Sequence, residues 1–342
     1  MSISQSLYKK PTWLWLLAPF SALFWAVQLF RRTAFTLNIF ARYRSKLPVV
    51  IVGNITAGGN GKTPVVLALV EYYIAQGVTP AVLSRGYGGN QTSFPHLVSK
   101  ECIASLVGDE PCLIRQRYDI PVVIDPDRAR GAKFISSLTN AEVIICDDGL
   151  QHYPLERDME ICVMDERGIG NGYLLPMGPM RETSDRIDLV DYVLFNGKDY
   201  STLSCLNNID TDIASFSLAP NAWVNVSNEK ELSIQEGIDY FAGKSLLAMA
   251  GIGDPQRYFT ALTNMGLAIN DTKAFADHKH FSKNDIPQNT LVLMTEKDAV
   301  KCKIFAHSDC WYLRVNADIP AAFYNALDEK MINLIGEKQH GV

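Results

Sequence analysis

The sequence predicts an α/β protein with a doubly wound parallel sheet and a second, smaller α/β lobe. Short runs rich in valine and isoleucine alternate with helical patterns through the first 200 residues, as expected for parallel strands covered on both faces. A glycine-rich loop follows the first of these runs, and a new cycle of strand, turn and helix begins near residue 245. An apolar segment precedes the sheet, and we expect it to form a membrane-associating helix.

The glycine-rich loop has the composition of a phosphate-binding loop (P-loop). Residues 49–64 read VVIVGNITAGGNGKTP, in which a strand leads into the loop and a helix is predicted over 62–76. Glycine N–H groups can close on phosphate oxygens, the Lys62 ammonium can reach the β- and γ-phosphates, and the Thr63 hydroxyl can ligate Mg²⁺. Thr56 stands where the common pattern has its first glycine. We predict that a nucleoside triphosphate is bound by Thr56, Ala57, Gly58, Gly59, Asn60, Gly61, Lys62 and Thr63.

The chain is long enough for two α/β domains. It has 342 residues, of which 47% are hydrophobic, and this composition excludes extensive disorder. The predicted fold is therefore P-loop NTPase-like, with a second lobe after a loosely patterned stretch rich in Asn, Ser and Asp. We predict a membrane-associating N-terminal helical region at 1–46, a P-loop kinase domain at 47–200, a connector at 201–240 and the second α/β lobe at 241–342.

Charge is unevenly distributed along the chain. No aspartate or glutamate precedes Glu71, although the net charge of the whole chain is −5. All charged residues among the first 70 are basic, namely Lys9, Lys10, Arg31, Arg32, Arg42, Arg44, Lys46 and Lys62. Because these residues flank an apolar run, the pattern indicates an anionic membrane surface as the partner and argues against nucleic acid.

The apolar run covers residues 13–30 and contains no charged residue. Its clearly polar members are Ser21 and Gln28, so a helix here must be buried in protein or in lipid. A cleaved signal peptide is disfavoured, because two arginines follow in place of a small-residue cleavage site. A core helix, a full span and a helix embedded in one leaflet remain open, and we favour embedding in one leaflet, with the nucleotide site facing the cytosol.

Two acidic residues end another apolar strand. Asp147 and Asp148 follow the run from Glu142 to Cys146. A P-loop enzyme is expected to have an acidic residue here, which holds Mg²⁺ directly or through water. Because successive strand residues point to opposite faces, we expect one carboxylate to meet the metal and the other to meet a loop or the acceptor. The structural alternative is that Asp147 caps a turn formed by Asp148 and Gly149.

Asp109 and His278 lie in two further polar strings. Asp109, in GDEP, is either a helix N-cap or the carboxylate that takes the proton of an alcohol during phosphoryl transfer. His278, in the loop Asp277-His278-Lys279-His280, belongs to a weak metal pattern, since two histidines lack a third spaced ligand. We expect His278 to orient or tune a carboxylate, and we assign no role to His280.

Three other segments carry candidate polar contacts. Arg85 and Tyr87 lie in a glycine-rich loop after a strand, where they can grip an anionic group or simply form a surface loop. A proline-rich turn presents Arg181 and Glu182. The string TEKDAVK follows the strand TLVLM and has the spacing of a helix cap, with a threonine and an aspartate three residues later.

The seven cysteines show no metal pattern. They occur at 102, 112, 146, 162, 205, 302 and 310, without a C-x-x-C pair or zinc spacing with histidine. Such cysteines are typical of small buried side chains in a reducing compartment, which agrees with a cytosolic catalytic body.

Taken together, these strings resemble one known family. GNITAGGNGKTP, LSRGYGG, GDEP, DDGLQH, GPMRE, FADH and TEKDAVK follow an apolar N-terminal helix in the order that is found in the tetraacyldisaccharide 4′-kinases of lipid A synthesis. The resemblance extends from Trp13 to Lys301, and threonine at position 56 is usual in that family. It implies transfer of the ATP γ-phosphate, with Mg²⁺, to the 4′-hydroxyl of a tetraacylated glucosamine disaccharide 1-phosphate. It further implies that this lipid A precursor lies on the cytoplasmic face of the inner membrane.

The resemblance also implies roles for single residues. Lys62 and Thr63 match the ATP loop, Asp109 matches the catalytic base and His278 its partner, while Lys297 matches a motif position without a firm role. The implied catalytic residues are Asp109, His278, Lys62, Asp147 and Asp148. The implied metal ligands are Thr63, Asp148 and Glu182, and the implied substrate contacts are Arg85, Tyr87, Arg181 and Gln151.

A second class of function also fits the P-loop. Membrane-linked P-loop ATPases of the partitioning or cargo-delivery type use ATP as a conformational switch. Many of them carry an additional lysine at the start of the loop, where this chain has Ala57. The acids of DDGLQH and GDEP suit an alcohol acceptor better, so the kinase hypothesis is preferred.

Overall fold

The computed structural model describes residues 12–207 and 209–339. Lys9 and Lys10 of the predicted basic N-terminal region lie outside the described residues. Contacts divide the chain into two units, which are described separately below. Unit 1 comprises Met1–Arg85, Asp125–Ser217 and Asp318–Val342, and unit 2 comprises Gly86–Ile124 and Leu218–Ala317.

Strands and helices alternate along most of the chain. The strands are β1 (Val49–Gly53), β2 (Pro80–Ser84), β3 (His96–Leu97), β4 (Val122–Ile124), β5 (Val143–Asp147), β6 (Met159–Asp165), β7 (Tyr192–Asn196), β8 (Asp212–Asn225), β9 (Glu231–Leu232), β10 (Leu246–Ala250), β11 (Asp271–Ala274), β12 (Leu291–Thr295) and β13 (Cys310–Asp318). The α-helices are α1 (Ala18–Thr36), α2 (Lys62–Ala75), α3 (Ala104–Val107), α4 (Asp109–Arg117), α5 (Arg128–Leu138), α6 (Ile234–Phe241), α7 (Pro255–Asn264), α8 (Glu296–Cys302) and α9 (Ala321–Gln339). Short 3₁₀ helices cover Thr12–Leu17, Ser184–Leu189, Tyr200–Thr202, Ser204–Leu206 and Lys283–Asp285.

Unit 1 contains a parallel sheet whose strands are buried. The order is β2–β5–β1–β6–β7, and the first half of β8 pairs with β7. Every residue of β1, β5 and β6 is buried, which explains their near-continuous apolar sequences. Helix α2 packs on β1 and β5, and α5 packs on β2 and β5. The predicted parallel α/β class is confirmed.

The N-terminal apolar helix lies largely exposed on unit 1. The 3₁₀ helix ends at Leu17 and α1 begins at Ala18; Pro19, in the first turn of α1, is tolerated because the N–H groups of that turn have no helical partner to lose. The helix continues beyond the predicted apolar run to Thr36. The segment Trp13–Thr36 is long and apolar enough to cross a membrane, and its most apolar part is 11% buried. Buried Ser21 holds it, since its hydroxyl donates to Leu174 O at 2.9 Å and accepts from Met177 N at 3.1 Å.

The C-terminal helix belongs to unit 1 rather than to the second lobe. Tyr72 of α2 stacks on Tyr324 of α9 at a centroid distance of 4.4 Å, and its hydroxyl donates to Asp328 at 2.6 Å. The predicted boundary at residue 241 had grouped α9 with the second lobe. Hydrophobic periodicity indicates that such a helix forms, but it does not indicate which sheet the helix packs against.

Unit 2 contains the second, smaller α/β sheet that the sequence predicts. Its strands run in the order β11–β10–β12–β13, with parallel pairing throughout, and β13 lies beside β8. The short β9 pairs antiparallel with the second half of β8. Trp223 of β8 packs edge to face on Phe241 of α6 at 4.9 Å, within the core of this unit.

The units differ from the predicted domain boundaries in two other places. Gly86–Ile124, with α3, α4 and the antiparallel pair β3–β4, groups with unit 2, whereas the prediction placed it in the P-loop domain. The predicted connector at 201–240 contains β8, and the boundary between the units falls within that strand. Polar residues and Pro220 interrupt β8, so its sequence lacks the alternation that marks a strand.

The cysteine prediction was wrong at two positions. Cys102 and Cys112 form a disulfide, with their Cα atoms 5.8 Å apart. Cys112 lies on α4 and Cys102 precedes α3, so the fold of this segment brings together two residues whose spacing in the sequence gives no signal. Among the described residues, Cys146, Cys162, Cys302 and Cys310 are free and buried, and Cys205 is free and partly buried.

Candidate active site

The P-loop of unit 1 leads from β1 into α2. Gly61 is the N-cap of α2 with φ of 92°, a left-handed conformation that favours glycine. A Cβ at this position would lie 2.7 Å from Nδ2 of Asn196, the last residue of β7, so that side chain would have to move to admit one. The N-terminus of α2, with the N–H groups of Lys62 and Thr63, is therefore the position at which we expect phosphate to bind.

Thr56 has a structural task within the loop. Its N–H and its hydroxyl both donate to Oδ1 of Asn54, at 2.8 and 3.1 Å, and its oxygen accepts from Nδ2 of Asn60 at 3.2 Å. All three residues are buried. A glycine at position 56 could still donate its N–H but would lose the two bonds of the threonine hydroxyl, which gives a physical reason for the departure from the common motif. Ala57 N–H donates to Pro179 O at 2.7 Å, so the start of the loop is bound to the turn at 176–182.

Arg167 holds the loop from another side, and sequence analysis missed it. Its Nη2 donates to Gly59 O at 2.6 Å and to Asn60 Oδ1 at 2.9 Å, and it pairs with Asp165 at 2.6 Å. Asp165 ends β6, the strand beside β1. The available signal was an Asp-x-Arg string after an apolar strand, because the carboxyl ends of parallel neighbours share one edge of the sheet.

The acids after β5 behave differently from each other. Asp147 is the last residue of β5 and is buried, whereas Asp148 has φ of 51° and is partly exposed. Oδ1 of Asp148 lies 3.4 Å from Nζ of Lys62, and Nη1 of Arg181 donates to both of its oxygens at 2.9–3.0 Å. Burial raises the pKa of Asp148, but Lys62 and Arg181 outweigh burial and lower this pKa to about 2.

Glu182 is linked to the same group of side chains. It is 4% exposed and accepts from Nε2 of Gln151 at 2.8 Å and from the hydroxyl of Tyr153. Gln151 Oε1 also lies 3.5 Å from Nη1 of Arg181. Asp148, Arg181, Gln151 and Glu182 thus form one connected polar cluster beside Lys62. We call this set, with the loop itself, the phosphate-loop site.

The oxygen donors of the phosphate-loop site fit Mg²⁺. Thr63, Asp148 and Glu182 offer a hydroxyl and two carboxylates, which are hard donors of the kind that Mg²⁺ prefers. Within residues 12–207 and 209–339, no group of three or more His, Cys, Asp or Glu side chains could hold a metal alone. Mg²⁺ is commonly held by one or two carboxylates together with substrate phosphates and waters, and this set offers two carboxylates.

The second cluster lies in unit 2, where Asp109 and His278 are in contact as the sequence analysis expected. Nδ1 of His278 lies 3.1 Å from Oδ2 of Asp109. Gly108 is the N-cap of α4, so Asp109 is the first helical residue and its side chain is not the cap. The hydrogen bond to Asp109 raises the pKa of His278. Burial raises the pKa of Asp109, but His278, Lys301 and Lys297 outweigh it, so that this pKa lies below its usual value.

Lys297 borders the same pair. Its Nζ lies 2.8 Å from Glu110, 3.3 Å from Asp277 and 3.4 Å from Nε2 of His278. Burial lowers the pKa of Lys297, but the two carboxylates outweigh it and raise this pKa above its usual value, so the ammonium stays charged. We call Asp109, His278, Lys297 and their carboxylate neighbours the acid–histidine cluster.

The remaining predicted contacts are exposed. Arg85 is exposed and is the last residue of the first segment of unit 1. Tyr87, in unit 2, is 62% exposed, and its ring lies edge to face against His278 at 5.0 Å. Thr295 caps α8 by accepting from Asp298 N–H, as the TEKDAVK spacing predicts.

Comparisons with known proteins agree with this geometry. A family profile described as tetraacyldisaccharide-1-P 4′-kinase matches residues 13–332. The tetraacyldisaccharide 4′-kinase of Tolumonas auensis is 43% identical over 98% of both chains. That of Pseudoalteromonas atlantica is 44% identical over 92% of this chain and 99% of its own. The crystal structure of LpxK from Aquifex aeolicus in complex with ATP matches with a TM-score of 0.77 and 25% identity, over 96% of this chain and 99% of that one.

Proposed function

The chain belongs to the tetraacyldisaccharide 4′-kinase family, and we propose from this premise which residues carry out its reaction. As a member of the family it is an ATP-dependent lipid kinase, which transfers the γ-phosphate to the 4′-hydroxyl of a tetraacyldisaccharide 1-phosphate in lipid A biosynthesis. The observation that supports our assignment of the reacting groups is the 3.1 Å contact between Asp109 and His278, because phosphoryl transfer to an alcohol needs a held base.

The phosphate-loop site is assigned to the donor, ATP. The N–H groups of Gly58 to Lys62 bind phosphate oxygens, and Lys62 places its charge on the β- and γ-phosphates. Thr63, Asp148 and Glu182 would hold Mg²⁺, which would supply positive charge to offset the negative charge that develops on the phosphates. Arg181 pairs with Asp148. We also assign it to stabilise the negative charge that develops on the phosphates during transfer.

The acid–histidine cluster is assigned to the acceptor. His278 donates from Nδ1 to Oδ2 of Asp109, and we assign the other oxygen, Oδ1, to the hydroxyl of the sugar. The hydroxyl proton passes to Asp109 as the sugar oxygen bonds to the γ-phosphorus, and the bond from that phosphorus to the β–γ bridging oxygen breaks to release ADP. His278 fixes the orientation of the carboxylate, since its hydrogen bond forms on one oxygen only.

The assay of the reaction uses the purified chain in mixed detergent micelles. With γ-labelled ATP and the tetraacyldisaccharide 1-phosphate, we expect label in the lipid and ATP consumption that requires the acceptor. ATP hydrolysis that is independent of the acceptor and gives no labelled lipid would contradict the kinase and favour the membrane-linked ATPase. The family match over residues 13–332 does not favour that alternative.

The location that we assign is the inner membrane, on its cytoplasmic face, with an anionic lipid surface as partner. Support comes from the exposed side chains of the N-terminal segment, among them Trp15, Leu16, Phe20 and Phe30, which are 61–78% exposed. Buried apolar area and basic flanks are the two contributions to interfacial binding. Replacing Trp15 and Phe20 by serine should weaken binding to vesicles that contain anionic lipid. Ile304→Ser in unit 2, where the side chain is 77% exposed, is the control.

Tryptophan fluorescence distinguishes a span from a helix in one leaflet. Trp223 and Trp311 are buried, so quenching by lipids brominated at known depths reports the N-terminal tryptophans. Trp15 and Trp25 are about 15 Å apart along a helix axis. Variants that lack Trp13 and keep one of the two should show equal depths for a helix in one leaflet, and a deeper Trp25 for a spanning helix. Unquenched fluorescence would place the helix outside the bilayer.

A further inference from the structure

A buried lysine lies behind the Asp109–His278 pair. Nζ of Lys301 is 3.6 Å from Oδ2 of Asp109 and 2.9 Å from Oδ1 of Asp298, and the lysine side chain is 6% exposed. The ring of Phe281 lies 4.9 Å from the ammonium and covers it on another side. His278 contacts the same oxygen of Asp109 that faces Lys301. Two cationic or hydrogen-bonding groups therefore converge on Oδ2.

Asp298 is a rigid anchor for this lysine. It is completely buried, and its Oδ2 accepts from Gly251 N–H at 2.9 Å and from the Thr295 hydroxyl at 2.6 Å. Its N–H donates to the Thr295 oxygen at 3.2 Å, which completes the cap of α8. Because Lys301 is three residues after Asp298 on the same helix, the cap also fixes the direction in which the lysine reaches.

The cap of α8 does not itself require a buried lysine. Thr295 and Asp298 satisfy it with their own bonds, and burying an ammonium is costly unless the charge is matched. A purely structural lysine would neutralise Asp298 alone. Here the ammonium is shared between two carboxylates, and one of them is the proposed base. Without Lys301, Asp109 and Asp298 would be two buried acids without that shared cation, which favours protonation of one.

We propose that Lys301, anchored by Asp298, is a positioning residue for Asp109: together with His278 it holds Oδ2 and keeps the carboxylate ionised, so that Oδ1 is available to the acceptor hydroxyl. The proposal rests on the proposed function, in which Asp109 is the base. Lys301 would contact neither substrate. Its effect on the reaction would pass through the charge and the orientation of Asp109.

The charges around Asp109 determine the sign of the expected effect. His278 approaches from the loop after β11, and Lys297 and Lys301 approach from α8; Glu110, Asp277 and Asp298 are the acids that these cations also meet. The three cationic groups lower the pKa of Asp109 against the effect of burial. Removing Lys301 raises that pKa, so the base becomes protonated at a higher pH and activity is lost earlier on acidification.

The test compares pH profiles of kcat for Lys301→Met and the wild type in the lipid kinase assay. We expect the acidic limb to move up by about 1 pH unit or more, with the KM for ATP unchanged. Lys301→Arg, which retains a charge, should keep the limb near its wild-type position. Lys303→Met is the matched control, since Lys303 is exposed and pairs with Glu229, away from Asp109.

A second pair of variants provides the test if Lys301→Met does not fold. Lys301→Met with Asp298→Asn removes the buried ion pair as a whole, which disturbs a fold less than leaving one charge alone. Its acidic limb should lie at higher pH than that of Asp298→Asn alone. The role of Lys301 would be overturned if the acidic limb lay at the same pH for both members of each comparison while Asp109→Asn was inactive. An active Asp109→Asn would instead overturn the proposed base, whatever Lys301 does.

Discussion

The phosphate-loop site of unit 1 and the acid–histidine cluster of unit 2 are built in different ways. In unit 1, the functional side chains follow the carboxyl ends of neighbouring parallel strands, with the loop after β1, Asp148 after β5 and Arg167 after β6. In unit 2, Asp109 begins a helix and meets His278, which lies 169 residues further along the chain. The first site is a property of one sheet edge, whereas the second depends on packing between distant segments.

We propose different roles for the two ionised acids. The side chain of Asp148 is 36% exposed and lies between two cations, so it remains a carboxylate, and it is the proposed ligand of Mg²⁺. Asp109 is 11% exposed and is the proposed acceptor of a proton during turnover. Burial works against ionisation of both acids, and each has cations that outweigh it. Because the two acids belong to different clusters, we expect that one substitution can impair nucleotide binding and another can impair proton transfer.

The largest expected effect is that of Asp109→Asn. The amide is close to isosteric but cannot accept the proton, so kcat should fall about 10³-fold, within the usual contribution of a general base. ATP affinity, measured by calorimetry, should stay unchanged because the phosphate-loop site is intact. Asp119→Asn is the control, as that carboxylate is 86% exposed. A loss of ATP binding in Asp109→Asn would show that the phosphate-loop site depends on the acid–histidine cluster.

A somewhat smaller loss of activity is expected for Lys62→Met, and here the affinity for ATP should fall as well. Removing the ammonium from the phosphates should lower kcat/KM by about 10²-fold and weaken ATP binding as well. Lys133→Met, at an exposed lysine of α5, serves as the control. Normal ATP affinity in Lys62→Met would show that the loop backbone alone binds the nucleotide.

The pH profile separates the two acids directly. Asp148 has a lowered pKa of about 2, so it is ionised at every pH above about 4 and contributes no acidic limb there. Arg181→Met should reduce kcat about tenfold without moving the limb, since Lys62 still lies beside Asp148. A limb that moves with Arg181→Met would assign the titration to the phosphate-loop site and not to Asp109.

The smallest expected effect is that of Arg167→Met. Its hydrogen bonds to Gly59 and Asn60 hold the loop but do not touch the reacting groups. Because the arginine is partly exposed, we expect about a fivefold increase in the KM for ATP with little change in kcat. Arg115→Met, which removes a pair with exposed Asp119, should leave both values unchanged.

The sequence predicted the phosphate-loop site more completely than the acid–histidine cluster. The loop and the start of α2 could be predicted because contiguous residues determine them. The contact between Asp109 and His278 was expected mainly from the resemblance, since no local pattern relates them. Asp298 was predicted only as part of a helix cap, and its ion pair with Lys301 shows in no spacing, because burial and side-chain direction are decided by packing.

Ser21 influences more than the position of one helix. Its hydroxyl is bonded to the backbone at Leu174 and Met177, in the turn that continues into Arg181 and Glu182. The apolar helix and side chains of the phosphate-loop site are thus attached to the same short stretch of chain. If α1 lies at the bilayer interface, its depth determines the distance between the membrane and the turn that carries Arg181 and Glu182. We expect the choice of sugar hydroxyl to depend on its distance from the acyl chains as well as on its chemistry.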